Sequence, residues 1–133
     1  GRELPRDVGL LGDNLEEISL PNIKLAGTIP SELGMLTRLK FLDLGQNLLN
    51  GTLPSELSKM ESVKELRFYR NQINGTIPTE LGEMKWIERL SLNNNQIKGT
   101  IPTELGGLDS LEDLSLGWNW IEGTIPTELF DIT

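Results

Sequence analysis

The stretch GTIPSELGMLTRLKFLDLGQNLLN, residues 27–50, is followed without a gap by GTLPSELSKMESVKELRFYRNQIN (51–74), GTIPTELGEMKWIERLSLNNNQIK (75–98) and GTIPTELGGLDSLEDLSLGWNWIE (99–122). Each unit is 24 residues long. A strict period of this size marks a solenoid, in which every unit buries its apolar side against its neighbours. A further Gly123-Thr124-Ile125-Pro126 opens a partial unit, 123–133. Upstream, Leu4-Pro5-Arg6-Asp7-Val8-Gly9-Leu10-Leu11 is a weaker copy of residues 29–36, with one extra residue near Gly12-Asp13-Asn14. The predicted organisation is one domain over 1–133: a degenerate repeat 4–26, four full repeats and the partial one.

The second half of each unit carries the strand signal. Leu42 and Leu44, Leu66 and Phe68, Leu90 and Leu92, and Leu114 and Leu116 alternate with polar residues at period two. One short strand per unit in a common register predicts a parallel sheet with strands roughly 4.8 Å apart. Asn47, Asn71, Asn95 and Asn119 follow at a fixed phase. They read as an inward ladder whose amides bond the backbone of neighbouring turns. An unpaired buried Asn would cost about 1–3 kcal/mol, so the ladder is expected to be satisfied. In the upstream copy, Ile23 stands where the others have Asn.

The first half returns the chain across the other face. Proline fixes φ and removes a donor, which excludes a central strand or helix interior there. Pro-[Ser/Thr]-Glu-Leu suits the first turn of a short helix or 3₁₀ segment. Leu33, Leu57, Leu81, Leu105 and Leu129 should point inward, as should Leu36, Met60, Met84, Leu108 and Ile132. Gly34, Gly82 and Gly106 are predicted to end these helices with positive φ. Ser58 and Phe130 interrupt that glycine column, which predicts a different turn at those places.

Composition removes several functions. A formal net charge of -8 argues against nucleic acid or an anionic membrane surface as a partner, because both reward basic patches. No apolar run approaches the roughly 18–20 residues needed to cross a bilayer, so no membrane insertion is expected. The opening Gly1-Arg2-Glu3-Leu4-Pro5 lacks a signal peptide's apolar core. The chain has neither cysteine nor histidine. That removes disulfides, thiolate chemistry, the commonest general base and the commonest metal ligand. Ser-His-Asp triads, Cys-His dyads and the usual zinc sites are excluded by inventory. Carboxylates are abundant, but none forms a cleft-like pair with a second catalytic group. The chain is expected to be no enzyme and to carry no metal or cofactor.

Leu39-x-x-Leu42-x-Leu44-x-x-Asn47-x-Leu49-x-Gly51-x-Leu53-Pro54, repeated three more times with conservative changes, resembles the plant-type leucine-rich repeat. The resemblance covers almost the whole chain. It implies an α/β solenoid, a right-handed superhelix with a parallel concave sheet and convex 3₁₀ or short helical segments. It also implies a second short strand near the Gly-Thr-[Ile/Leu]-Pro corner. The family occurs in receptor-kinase ectodomains, in polygalacturonase-inhibiting proteins and in algal and protist proteins, where it binds proteins, peptides or glycans. The cysteine-containing caps of the plant receptors are missing here, and further repeats or a partner are expected to cover the ends.

The outward strand positions form lateral columns: Glu17, Phe41, Glu65, Arg89, Asp113; Ser19, Asp43, Arg67, Ser91, Ser115; Pro21, Gly45, Tyr69, Asn93, Gly117; and Asn22, Gln46, Arg70, Asn94, Trp118. These positions are read as free of core duty. Phe41, Tyr69, Trp118, Arg67, Arg70 and Arg89 are the residue types that dominate binding hot spots. With Asn93 and Asn94 they make the candidate ligand face. The competing reading pairs Arg89 with Glu65 and Asp113, and Arg67 with Asp43, as cross-strand ion pairs. Trp86 and Trp120 are secondary candidates for partner contact. Trp118 and Trp120 equally suit shielding of the edge where a next repeat would stack. Glu32, Glu56, Glu80, Glu104 and Glu128 form an acidic ridge that reads as a solvated, dipole-tolerated position. Asn50-Gly51-Thr52 and Asn74-Gly75-Thr76 are glycosylation sequons, which the repeat itself generates.

Two functions follow from this. The first is a module that recognises a protein or peptide through the concave face. The alternative is a structural scaffold or repeat segment of a larger assembly or cell-surface protein, or glycan binding through Trp and Tyr. Extracellular or cell-surface placement is favoured over an intracellular assembly.

Overall fold

The computed structural model describes residues 2–12 and 14–131, and the side chains of all of these except 130 and 131. The readings placed on Asp13, on the Phe130 side chain and on Ile132 lie outside the described residues.

Glu17–Ser19, Phe41–Asp43, Glu65–Arg67, Arg89–Ser91 and Asp113–Ser115 form one parallel sheet in chain order. The register is the one the period dictates. Ile18, Leu42, Leu66, Leu90 and Leu114 are direct cross-strand partners. A three-residue strand cannot persist alone, so each exists because its neighbours supply both its hydrogen bonds and its apolar cover.

Opposite this sheet lie 3₁₀ segments at Arg6–Leu10, Ser31–Met35, Ser55–Lys59, Thr79–Glu83, Thr103–Gly107 and Thr127–Asp131. Each starts directly after a proline whose ring holds φ near the helical value while ψ stays extended, as at Pro30 (φ -69, ψ 136). The first bond closes from the Leu33 N–H to the Pro30 carbonyl at 3.2 Å, and the same bond recurs at Leu57, Leu81 and Leu105. A second, broken sheet runs along the corner: Arg2–Glu3, Leu25–Thr28 and Leu48–Asn50 pair in one part, and Lys98–Gly99 with Trp120–Ile121 in another.

Two expectations about the turns are corrected. Gly34, Gly82 and Gly106 have no positive φ; among the described glycines the positive values belong to Gly12 and to the corner glycines Gly27, Gly51, Gly75, Gly99 and Gly123. The three helical glycines are small for a different reason. A Cβ on Gly34 would strike the Glu56 carbonyl of the next coil, and one on Gly82 would strike that of Glu104. Consecutive 3₁₀ segments approach so closely that the backbone itself is the contact surface. Because no left-handed residue is needed there, Ser58 keeps the same 3₁₀ segment, with Met60 closing it as Leu36 does elsewhere. Gly34→Val should therefore destabilise the chain by about 1–3 kcal/mol through overpacking. Thermal unfolding checks this, and a variant melting at the wild-type temperature would contradict it.

Between the two faces runs one apolar cluster. Leu33, Leu42, Leu44, Leu57, Leu66, Phe68, Leu92 and Leu105 are fully buried in it. The Asn ladder closes its side. Asn71 Nδ2 donates to the Leu44 and Phe68 carbonyls, both at 3.0 Å, and its Oδ1 accepts the Leu49 N–H at 2.9 Å. Asn47, one coil earlier, and Asn95 and Asn119, one and two coils later, repeat the pattern. No buried side-chain polar atom lacks a partner among the described residues. No described helix is long and apolar enough to cross a membrane.

Candidate functional site

The side chains that alternate with Leu42, Leu66 and Leu90 face away from the core. Their columns are in register across five strands, Glu17–Phe41–Glu65–Arg89–Asp113 and Ser19–Asp43–Arg67–Ser91–Ser115. Backbone bonds carry the alignment past the strand ends. The N–H groups of Asn22, Gln46, Arg70 and Asn94 donate to the carbonyls of Gly45, Tyr69, Asn93 and Gly117. Eight candidate residues from four different coils thus share one face: Phe41, Arg67, Tyr69, Arg70, Arg89, Asn93, Asn94 and Trp118.

Not all of them are free of structural work. Asp43 is buried at 5% exposure. Its carboxylate accepts the Gly45 N–H at 2.9 Å and faces the Arg67 guanidinium at 3.6 Å. Glu65 takes Arg67 at 3.0 Å and Arg89 at 3.6 Å. The guanidinium of Arg67 also lies 5.2 Å from the centroid of the Phe41 ring. Asp43, Arg67, Glu65 and Arg89 therefore form a chain of alternating charge across three strands. The expected pair of Arg89 with Asp113 does not form among the described residues, since Glu65 already holds Arg89 on the other side. The guanidinium ends remain in contact with water while the carboxylates are largely covered, and such partly screened pairs contribute on the order of 1 kcal/mol each. A guanidinium has five N–H donors, so Arg67 and Arg89 keep donors for a ligand while paired.

Tyr69 is half-buried because it lies across Gly45. A Cβ at Gly45 would collide with the tyrosine ring, so that glycine is the seat of the aromatic side chain and is itself buried. Arg70 is exposed and has no ion-pair partner among the described residues. Asn93 donates its amide to the Asn94 Oδ1 at 2.9 Å. Trp118 is 84% exposed, Trp120 67% and Trp86 63%.

A feature the sequence reading missed sits in the last column. Asn22, Gln46, Arg70, Asn94 and Trp118 all adopt left-handed backbone, with φ between 54 and 59. Asn22 and Asn94 were the available signal, since Asn enters this region more readily than most residues. Trp has no such ease, so Trp118 is an outlier both in backbone and in exposure. The same φ recurs at this position in every coil, so the coil geometry and not the side chain sets it.

The face holds a shallow depression of about 540 Å³ lined by Glu65, Arg67, Tyr69, Arg89, Ser91, Glu112 and Asp113. A larger one, about 910 Å³, follows the corner past Thr28, Pro30, Thr52, Pro54, Thr76 and Pro78. Its lining repeats from coil to coil, as the corner itself demands. The first depression changes composition at every strand, which the fold does not require. Among the described residues no group of three or more Asp, Glu, His or Cys is placed to hold a metal ion.

Comparison with known proteins bears on this geometry. The family model described as Leucine Rich Repeat matches residues 38–60, 62–84, 86–108 and 110–132. A search of the curated proteins gives no match. Among solved structures, the plant peptide hormone receptor RGFR1, in complex with RGF2, is 38% identical with a TM-score of 0.92, over 96% of this chain and 20% of that one. The BIR3–SERK2 complex from Arabidopsis thaliana gives 40% identity and a TM-score of 0.81, over 84% and 60%. The Arabidopsis receptor kinase HAESA, solved with the peptide hormone IDA and the co-receptor SERK1, gives 37% and 0.88, over 93% and 20%. The chain thus spans a fifth of the length of the two hormone receptors.

Proposed function

Since this chain belongs to the leucine-rich repeat family, we propose that it is a non-catalytic recognition module that binds a protein or peptide across the concave main sheet. The observation that carries this reading is the registered outward face. Phe41, Arg67, Tyr69, Arg70, Arg89, Asn93, Asn94 and Trp118 stand there together, on a sheet whose other side is occupied by the core. Aromatic and Arg side chains held rigidly on a sheet lose little entropy on binding, which is what an anchor needs. The similar receptors are solved with a peptide hormone or a co-receptor, which supports a protein or peptide as the partner class. We read residues 1–133 as one solenoid, placed at the cell surface or outside the cell. In that compartment the exposed Asn50 and Asn74 become acceptors for N-glycosylation.

The test is selection from a phage-displayed random peptide library on the intact chain, followed by titration of a recovered peptide. The Tyr69→Ala/Arg70→Ala double variant is expected to weaken that peptide by roughly tenfold to a hundredfold. A far-ultraviolet spectrum and an unfolding curve establish that the variant is folded. Equal affinity of wild type and folded variant would overturn the reading.

A further inference from the structure

The carboxylates and guanidiniums at the centre of the main sheet are not equally open to water. Asp43 and Glu65, which hold Arg67 and Arg89, keep 7% and 14% of their side-chain surface exposed, against 38% and 56% for the two arginines. The anions are covered and the cations meet solvent, although the chain as a whole has a net charge of -8. Both arginines line the depression of about 540 Å³ on this face, together with Tyr69 and Ser91, which bring a phenol and a hydroxyl. Ser91 is the cross-strand partner of Arg67, and its small side chain leaves room beside the guanidinium. These four residues belong to the coils 51–74 and 75–98, each of which has a further coil stacked on both sides. Beyond Arg89 the lining turns acidic, at Glu112 and Asp113.

A guanidinium carries five N–H donors in a planar fork. The ion pairs engage both terminal nitrogens of Arg67 and one of Arg89, so each keeps donors for another acceptor. A carboxylate is the acceptor whose shape and charge match that fork. We propose that this depression is a subsite for a single acidic side chain, Asp or Glu, of the recognised peptide, held by Arg67 and Arg89 with Tyr69 and Ser91 as neutral donors. The proposal rests on the reading of the main sheet as a recognition face and names one chemical group that the face takes. The covered carboxylates tether the guanidiniums, which therefore lose little freedom when a ligand arrives. Charge complementarity selects this occupant. A basic side chain is repelled by the exposed guanidiniums, and a neutral amide forgoes the charge-assisted bonds. The acidic boundary at Glu112 and Asp113 favours one carboxylate over an acidic run, because a second would meet like charge.

The probe is a pentapeptide, Gly-Gly-Glu-Gly-Gly with both ends blocked, titrated into the intact chain. Nuclear magnetic resonance follows the arginine Nε–H groups and the ring of Tyr69, the chain's single tyrosine. Signals of Arg67, Arg89 and Tyr69 should shift and saturate together, and the peptides with Gln or Lys in place of Glu should shift none of them. A peptide with three consecutive Glu should gain no more than about threefold, the statistical factor for one occupied site. Arg67→Gln/Arg89→Gln should weaken the Glu peptide by about tenfold or more. Arg38→Gln, on an exposed loop outside the sheet, should leave it unchanged. A melting curve checks that the double variant folds. Should it not fold, Arg67→Lys/Arg89→Lys keeps the charges, loses the forks and is expected to weaken the peptide by about threefold or more. An equal loss in Arg38→Gln, an affinity that climbs steeply with the number of Glu residues, or the same saturating shifts with inorganic phosphate would mean unspecific attraction of anions and would overturn the proposal. Tyr69→Ala/Arg70→Ala separates the two readings. A library peptide lost in that variant, with no response to the Glu peptide, would sink this proposal and leave the recognition face standing. A library peptide that binds wild type and variant alike, again with no response to the Glu peptide, would sink both.

Discussion

Asn71→Ala should lower the free energy of unfolding by about 4 kcal/mol, within a range of roughly 3–5. The figure follows from which groups are left without a partner. The Leu49 N–H, buried, has the Asn71 Oδ1 as its acceptor and would be orphaned outright, which costs about 1–3 kcal/mol. The Leu44 and Phe68 carbonyls would be only half-deprived. Leu44 also accepts from Asn47, and Phe68 from Asn95, so each keeps one bond. About 1 kcal/mol for each bond lost completes the sum. Urea unfolding measures the loss. The ladder joins consecutive coils, so the variant should also unfold less cooperatively. A loss below about 1 kcal/mol would mean that water replaces the amide and that the ladder is no structural link.

Phe68→Ala should be comparably severe, at about 3–5 kcal/mol. Phe68 is fully buried at the centre of the apolar cluster, where the coils on either side use Leu44 and Leu92. Its truncation leaves a cavity that three-residue strands, each fixed by two neighbours, have little freedom to close. The comparison variant is Phe68→Leu. It restores the residue type of the column and should cost less than about 1.5 kcal/mol. Differential scanning calorimetry on both variants separates the two costs. Equal destabilisation by Ala and Leu would show that the site demands the aromatic shape and that the coils are not equivalent there.

The parts of this fold that can be read in advance are those where the period leaves no choice. Leu42, Leu66, Leu90 and Leu114 recur at a fixed spacing, and only one stacking register buries them all, so the sheet and its columns follow. The prolines likewise fix where each 3₁₀ segment begins. The turns were less legible because glycine has two uses that look alike in a sequence. Gly34 and Gly82 fit the pattern of helix-ending residues, yet they are small so that the backbone of the next coil can approach. Positive φ falls instead on Gly27, Gly51 and Gly75, and on a row of non-glycine residues. Nothing local marks Gln46, Arg70 and Trp118 for that conformation; the coil geometry imposes it.

The candidate face was legible in membership but not in detail. Period two puts Arg67, Arg89 and Phe41 on the outward side, and they are there. It cannot say that Asp43 is drawn under Arg67 until it is buried, because that depends on three strands meeting. Nor can it say that Tyr69 lies over Gly45, a contact between residues one whole coil apart. Both facts refine the site in the same way. Arg67, Arg89 and Tyr69 are held in place in the free chain, which is what the proposed anchoring role requires.

The most direct measurement of the central claim is the footprint of a library-selected peptide on the chain, read from backbone amide shifts on titration. The shifts should concentrate at residues 65–71, 89–95 and 113–120, along the main sheet and the turn that follows it. A footprint confined to the 3₁₀ segments and the Gly-Thr-Ile-Pro corner, with those residues unmoved, would contradict it.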